Sequence, residues 1–130
     1  MASVLVVDDA LFMRILLKNI LEKSGHRVTG EGGTGEEAVQ LYLDLKPDLV
    51  ILDVVMPQKS GLDAVKEILA LDPLARIIMV SAVGQQATTE AAVRAGARAF
   101  ILKPFQPERV RACVREVLSL PSSGKAEAEE

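Results

Sequence analysis

The sequence predicts an α/β fold, a doubly wound five-stranded parallel sheet in the strand order 2-1-3-4-5 with helices on both faces. Short apolar runs of strand length recur along the 130 residues. Amphipathic segments long enough to serve as crossover helices follow these runs. Five alternations of strand and helix favour right-handed crossovers and a three-layer arrangement.

The strands are predicted from the positions of the apolar runs. Four runs indicate buried parallel strands, at residues 4–7 (VLVV), 49–52 (LVIL), 77–80 (IIMV) and 100–102 (FIL). The second strand in chain order, residues 26–29 (HRVT), has polar residues at alternate positions, which is typical of a strand near the edge of a sheet.

The helices are predicted between and after the strands. They cover residues 11–24, 36–45, 61–71, 85–95 and 107–119. The last is the clearest, because Val110, Cys113, Val114, Val117 and Leu118 follow the spacing of one buried helix face. We expect one domain over residues 1–120 and a flexible acidic tail over residues 121–130, which have no apolar periodicity.

Composition and charge argue against a nucleic-acid-binding protein and against a membrane-spanning protein. The chain is 49% hydrophobic and 25% charged, with a formal net charge of −3, so we expect no nucleic-acid partner. The apolar runs are too short to span a membrane, and a strand pattern begins almost at the N-terminus, where a leader would stand. We therefore expect a cytoplasmic protein, and a monomer. The single cysteine, Cys113, is expected to be a buried spacer.

Charged and polar side chains stand where the predicted strands end. Asp8 and Asp9 follow strand one, Asp53 ends strand three, Ser81 ends strand four and Lys103 ends strand five. Each has an ordinary explanation when taken alone, such as a helix cap by Asp9. In the predicted order, however, strands one, three, four and five are successive neighbours. Their carboxyl ends should bring the three carboxylates together.

Three clustered carboxylates need a cation beside them. Two unit charges about 4 Å apart repel by about 4 kcal/mol at an effective dielectric constant near 20. Oxygen ligands open to water suit Mg²⁺, or alternatively Mn²⁺, and the single histidine, His26, is placed away from this cluster. Carboxylates with Mg²⁺ typically accept phosphoryl groups. Lys103 would then neutralise phosphoryl oxygens, and Ser81 could offer a hydroxyl.

The same motifs resemble those of the receiver domain of bacterial two-component response regulators, from about Val4 to Leu118. The matching features are the pair Asp8-Asp9, LDVVMP around Asp53, VSA around Ser81 and KPF at Lys103. The resemblance implies a flavodoxin-like fold, and the strand order given above rests partly on it.

The resemblance also implies a role for each acidic residue. Asp53 would be the phosphoacceptor and would take its phosphoryl group from a phosphohistidine of a partner kinase. Asp9 and Asp53 would bind Mg²⁺ directly, the backbone carbonyl of Val55 would complete the protein ligands, and Asp8 would act through water. The protein would assist its own phosphorylation and dephosphorylation without being an enzyme that turns over a substrate.

A second set of implied roles concerns switching. Lys103, before a proline that is usually cis in the family, would pair with the acyl phosphate. Ser81 would move toward that phosphate, and Phe100, where the family often has tyrosine, would move inward behind it. These shifts would bias the face formed by the fourth helix, fifth strand and fifth helix.

The stretches DDALFMR and SAVGQQA further resemble the single-domain chemotaxis regulators. This likeness implies a stand-alone regulator that receives its phosphoryl group from a chemotaxis-type histidine kinase and binds the flagellar motor switch. It is also compatible with a phosphatase as a further partner. Two positions that are often polar in the family are Val55 and Val83 here, which predicts slow self-dephosphorylation.

Three other functions compete with this interpretation. Gly30, Gly32 and Gly35 spell a dinucleotide-binding G-x-G-x-x-G, although acidic residues stand where pyrophosphate would bind. An aspartyl phosphatase of the haloacid dehalogenase type would need an acid at position 55, where this chain has Val55. A phosphorelay intermediate, handing its phosphoryl group to a histidine phosphotransferase, would use the same receiver chemistry.

Overall fold

A computed structural model describes residues 1–82 and 84–119, so Val83 and the predicted tail lie outside the described residues. Five strands alternate with five helices over this part of the chain. In chain order they are β1 (Ser3–Val7), α1 (Leu11–Lys23), β2 (Arg27–Gly32), α2 (Gly35–Leu45), β3 (Leu49–Asp53), α3 (Gly61–Leu71), β4 (Ile77–Ala82), α4 (Gln86–Ala95), β5 (Ala99–Lys103) and α5 (Pro107–Ser119).

The strands form one parallel sheet in the order β2-β1-β3-β4-β5, which confirms the predicted fold class and topology. In the register between β1 and β3, Val7 pairs with Leu52. Asp53 pairs with Val80, and Ala82 pairs with Lys103. The carboxyl ends of the four strands β1, β3, β4 and β5 therefore lie side by side along one edge of the sheet.

Alternate residues of the central strands supply two hydrophobic layers. Leu5, Leu52 and Met79 point to the side packed by α2, α3 and α4. Val6 and Ile51 point to the opposite side, where they meet α1 and α5. Cys113 lies in this second layer and is buried, and burial raises the pKa of its thiol, so it is the spacer that the helical stripe predicts.

Strand β2 is longer than the sequence predicts. It continues through the first two glycines of the proposed dinucleotide motif, with Gly30 paired to Leu5 and Gly32 paired to Val7. A Cβ at Gly30 would meet the side chains of Leu45 and Leu5 at 2.5 and 3.3 Å, so close packing against a neighbouring helix and strand accounts for this glycine.

The start of α2 also disagrees with a dinucleotide site. Thr34 caps the helix by accepting a hydrogen bond from the Glu37 amide at 3.1 Å. The Glu37 carboxylate accepts one from the Gly33 amide at 2.7 Å. This pair closely resembles a capping box, and it occupies the helix N-terminus with a carboxylate where a pyrophosphate would have to lie.

Strand β5 is less buried than the sequence predicts. Of the three residues in the predicted run 100–102, only Ile101 is fully buried, whereas Phe100 is 39% exposed and Leu102 is 46% exposed. The prediction of a strand buried on both faces is therefore wrong here. The reason is the position of β5 at the sheet edge, where α5 covers one face and α4 leaves the other face partly open.

Candidate phosphoacceptor site

Strand ends that lie far apart in the chain bring the predicted acidic residues together. Asp8 follows β1 and Asp53 is the last residue of β3; they are 1% and 7% exposed. Asp9 is exposed beside them. Each of the three can offer a carboxylate oxygen, and these oxygens all lie within 4.8 Å of one another. The predicted clustering of the carboxylates is present in the structure.

Lys103, at the end of β5, reaches across the sheet edge into this cluster. Its Nζ lies 3.2 Å from Oδ2 of Asp8 and 3.6 Å from Oδ2 of Asp53. The peptide bond between Lys103 and Pro104 is cis. One ammonium group thus faces two buried carboxylates, and the local charge of the three acids and one lysine remains negative.

The pKa of Asp53 reflects first its burial and then this excess of negative charge. Burial raises its pKa to about 6, and the negative charge of Asp8 contributes in the same direction. Lys103 partly offsets the rise, Asp9 adds to it, and a hydrogen bond from the Val54 amide opposes it. The site therefore favours a bound cation, which would stabilise the ionised form of Asp53.

The donor set fits a magnesium ion. The ligands are carboxylate oxygens, one of them exposed to water, and Mg²⁺ prefers oxygen ligands and keeps several of its waters. His26 stands just before β2 at the other end of the sheet, where its Nδ1 accepts a hydrogen bond from the Ala2 amide. Neither it nor the buried Cys113 belongs to the cluster. The predicted backbone ligand, the carbonyl of Val55, stays a prediction.

The ordinary explanation for Asp9 as a helix cap is wrong. The N-cap of α1 is Ala10, and no side chain caps this helix. It is Asp8 whose Oδ1 accepts a hydrogen bond from the Ala10 amide, at 2.9 Å. The carboxylate of Asp9 is therefore not used as the helix cap.

The predicted switch residues line a groove between β5 and α4. The groove has a volume of about 430 Å³, and its walls include Ser81, Thr89, Val93, Phe100 and Leu102. The Oγ of Ser81 is buried and has no hydrogen-bond partner among the described residues. Phe100 is partly exposed at the groove, so the space between the two predicted switch residues is open.

Sequence reasoning missed two residues that shape the site. Gly61 begins α3 directly against β3, and a Cβ there would collide with the carbonyl oxygen of Asp53 and the backbone of Val54. Arg14, on α1, donates a hydrogen bond from Nη1 to the carbonyl oxygen of Asp8 at 2.7 Å. Neither contact has a local pattern in the sequence, because both join segments that meet only in the folded chain.

Comparison with known proteins identifies the family to which the chain belongs. The family model described as "Response regulator receiver domain" matches residues 4–115. The chain belongs to the response regulator receiver domain family. This membership confirms the resemblance seen in the sequence, and the comparison covers the segments that carry Asp8, Asp53, Ser81 and Lys103.

Several chemotaxis proteins are similar to this receiver domain over most of their length. It is 54% identical to the chemotaxis protein CheY of Thermotoga maritima, over 88% of this chain and 95% of that protein. It is 47% identical to the chemotaxis protein CheY of Bacillus subtilis, over 89% of this chain and 97% of that protein.

Solved structures agree with the fold. The receiver domain is 33% identical to a chain in the crystal structure of the CheX-CheY-BeF3-Mg+2 complex from Borrelia burgdorferi, with a TM-score of 0.86 and coverage of 91% of this chain and 90% of that one. It is 35% identical to the response regulator domain of Thermotoga maritima CheB, with a TM-score of 0.84 and coverage of 92% and 97%. Within residues 1–82 and 84–119, no helix has the length and apolar character needed to cross a membrane.

Proposed function

We propose that this receiver domain accepts a phosphoryl group on Asp53 from a phosphohistidine of a histidine kinase, in a Mg²⁺-dependent reaction. The observation that carries the proposal is the contact set of Asp53, which lies beside Asp8 and Asp9 and 3.6 Å from the Nζ of Lys103. A buried carboxylate among acids and one lysine is well suited to receive a phosphoryl group together with a divalent cation.

The transfer is an attack of a carboxylate oxygen of Asp53 on the phosphorus atom. The new bond joins that oxygen to phosphorus, the bond from phosphorus to the imidazole nitrogen breaks, and the nitrogen keeps the electron pair. Asp8, Asp9, Asp53 and the backbone carbonyl of Val55 would hold the Mg²⁺. When bound, the cation supplies the positive charge that lets Asp53 stay ionised beside a phosphoryl group. Lys103 pairs with the phosphoryl oxygens.

Ser81 and Phe100 would couple phosphorylation of Asp53 to the groove between β5 and α4. The unpartnered hydroxyl of Ser81 is free to donate a hydrogen bond to a phosphoryl oxygen on Asp53. Movement of Ser81 would leave space into which Phe100, now 39% exposed, can turn inward. The surface of α4, β5 and α5 would thereby change its shape and present a new face to a partner.

We further propose a role in chemotaxis, in the cytoplasm, with the flagellar motor switch as the target of the phosphorylated form. The support is the likeness to CheY proteins over nearly their whole length. A phosphatase partner is also proposed, since a structural relative was solved in a CheX-CheY complex. Capture by the beryllofluoride form tests this: a motor switch protein supports the proposal, and a histidine phosphotransferase would instead indicate a phosphorelay.

Two competing functions lose support from the site. The dinucleotide motif is interrupted by a strand and by a carboxylate cap on α2. A haloacid-type phosphatase needs an acid two residues after the nucleophile, and that position is Val55. Failure to hydrolyse an aryl phosphate and failure to bind NAD would agree with the receiver function.

The central experiment follows thermal unfolding with Mg²⁺ and then beryllofluoride. A ligand at a hundredfold its dissociation constant stabilises the folded state by about 2.7 kcal/mol, which corresponds to a rise in Tm of about 10 °C for a domain of this size. We expect the parent to show this rise and Asp53→Asn to lose the increment due to beryllofluoride. An equal response of both proteins would refute Asp53 as the phosphoacceptor.

A further inference from the structure

The side chain of Arg14 connects three segments around the acidic cluster. It extends from α1 back to the end of β1, where Nη1 donates to the carbonyl oxygen of Asp8 at 2.7 Å. Its Nε donates to Oε1 of Glu31, on β2, at 3.3 Å. The side chain is 20% exposed. A planar guanidinium holds two acceptors at fixed angles, which the single ammonium of lysine cannot do.

These contacts belong to a set that fixes the turn leading into α1. The amide of Asp8 donates to the carbonyl oxygen of Gly32 at 3.0 Å, and Oδ1 of Asp8 accepts from the Ala10 amide at 2.9 Å. Arg14 holds the remaining backbone group, the Asp8 carbonyl. Because α1 has no side-chain cap, these bonds set the direction of the turn and hence the position of Asp9.

The glycine-rich segment passes directly beside this contact. An ideal Cβ at Gly33 would lie 3.5 Å from Nη1 of Arg14 and 3.9 Å from the carbonyl oxygen of Asp8. A single methyl group fits at those distances, whereas a longer side chain would compete with the guanidinium for the same space. The absence of a side chain at position 33 keeps the route from Glu31 to Asp8 open for Arg14.

We propose that Arg14, oriented by Glu31, is a positioning residue for Mg²⁺ binding, an inference that rests on the proposed phosphoacceptor function. Arg14 acts through the backbone of Asp8, and so sets where Asp8 and Asp9 present their carboxylates. Mg²⁺ requires near-ideal octahedral geometry with ligand distances of about 2.0–2.1 Å, so small displacements of a ligand matter. Outer partners of metal ligands typically change metal affinity by about 10–100-fold when removed.

The test compares Arg14→Met with Lys18→Met. Lys18 lies one turn further along α1, its Nζ is 3.9 Å from Oε2 of the same Glu31, and its replacement removes the same charge. Mg²⁺ dissociation constants are measured by calorimetry, with Mn²⁺ binding followed by electron paramagnetic resonance as a second readout. We expect Arg14→Met to weaken binding about 10-fold and Lys18→Met less than about twofold.

Two further variants separate positioning from charge and from general destabilisation. Arg14→Lys keeps the positive charge but not the double contact, so most of the loss should remain; full recovery of affinity would overturn positioning. Glu31→Ala should weaken binding about threefold, because Arg14 loses its second anchor. Thermal unfolding of each metal-free variant identifies a temperature at which all are folded, and affinities are compared there.

The outcomes distinguish this inference from the function on which it rests. If the parent binds Mg²⁺ and Arg14→Met binds it equally well, the positioning role is refuted while Asp53 remains a candidate phosphoacceptor. If the parent itself binds neither Mg²⁺ nor Mn²⁺, both proposals are refuted.

Discussion

The Nζ atom of Lys103 lies 3.6 Å from Oδ2 of Asp53, and the same atom lies 3.2 Å from Oδ2 of Asp8. The ammonium group of Lys103 therefore pairs with two buried carboxylates that come from the ends of different strands. We expect Lys103→Met to lower the free energy of unfolding by about 2 kcal/mol at pH 7.5 without metal, because both carboxylates lose their partner. Urea denaturation measures this.

The control for that variant is Lys18→Met, which breaks a half-exposed surface pair and should cost less than about 1 kcal/mol. Mg²⁺ should restore part of the stability lost in Lys103→Met, because it returns positive charge to the cluster. If the two lysine variants lose equal stability, Lys103 has no special role in holding the acidic cluster.

The raised pKa of Asp53 predicts how stability depends on pH in the metal-free protein. A carboxyl group with a pKa of about 6 when folded and 3.8 in its ordinary state holds its proton more tightly in the folded protein, so stability falls as pH rises between those values. Asp53→Asn removes this titration. We expect it to be more stable than the parent by about 1–3 kcal/mol at pH 7.5.

The difference between Asp53→Asn and the parent should shrink as pH falls through 6 and disappear below the ordinary value of 3.8. Urea unfolding at a series of pH values, in the presence of a chelator, measures it. A constant difference in the free energy of unfolding across this pH range would show that ionisation of Asp53 does not destabilise the folded protein. Saturating Mg²⁺ should reverse the order and make the parent the more stable protein.

Much of the fold and site could be predicted because the information is local. The apolar runs mark the strands, and the strand order, which rests partly on the family resemblance, groups Asp8, Asp53 and Lys103 at one edge of the sheet. The exposure of Phe100 and Leu102 could not, since an apolar run has the same letters whether one or both faces are covered. Whether the second face of β5 is buried depends on how α4 packs against the sheet.

The missed contacts have a common physical reason. Glycine is depleted in strands, so the predicted second strand ends at residue 29, whereas pairing with β1 keeps Gly30 and Gly32 extended in β2. Tertiary pairing outweighs the local preference. Similarly, Arg14 looks like an ordinary charge on a helix, and its contact with Asp8 depends on the angle at which α1 leaves the sheet.

The close approach of Gly61 to Asp53 predicts that position 61 does not tolerate any side chain. A Cβ at Gly61 would overlap the carbonyl oxygen of Asp53, so Gly61→Ala must displace either α3 or the end of β3. We expect a loss of about 1–3 kcal/mol of stability and a weaker response to beryllofluoride. The matched control is Gly33→Ala, whose Cβ would meet its nearest neighbour at an ordinary 3.5 Å. Equal effects of both variants would contradict this packing.

The start of α1 presents exposed apolar side chains shortly after Asp9 of the acidic cluster. Leu11 is 60% exposed and Phe12 is 73% exposed, two and three residues after Asp9. Under the proposed function, we expect a kinase domain that brings phosphohistidine to Asp53 to contact this surface. We expect Phe12→Asp to slow transfer from the kinase about tenfold and to leave phosphorylation by acetyl phosphate unchanged.

The control for Phe12→Asp is Leu74→Asp. Leu74 is 51% exposed and lies before β4, at the opposite end of the sheet. Transfer is followed with radiolabelled kinase. If Phe12→Asp slows phosphorylation by acetyl phosphate as much as transfer from the kinase, the change acts on the site itself and not on docking.

The side chain of Val55 predicts the lifetime of the phosphorylated state. Val55 is 54% exposed and stands two residues after Asp53, so this position has an apolar side chain in place of a polar group that could hold the attacking water. We expect Val55→Asn to speed loss of phosphate about fivefold, less than a true general base would give. Because the position is exposed, the substitution should leave stability nearly unchanged. The rate is measured from the decay of the phosphoprotein after removal of the donor, and we expect Val55→Thr to lose phosphate at an intermediate rate. An unchanged rate in Val55→Asn would show that water access is not controlled at this residue.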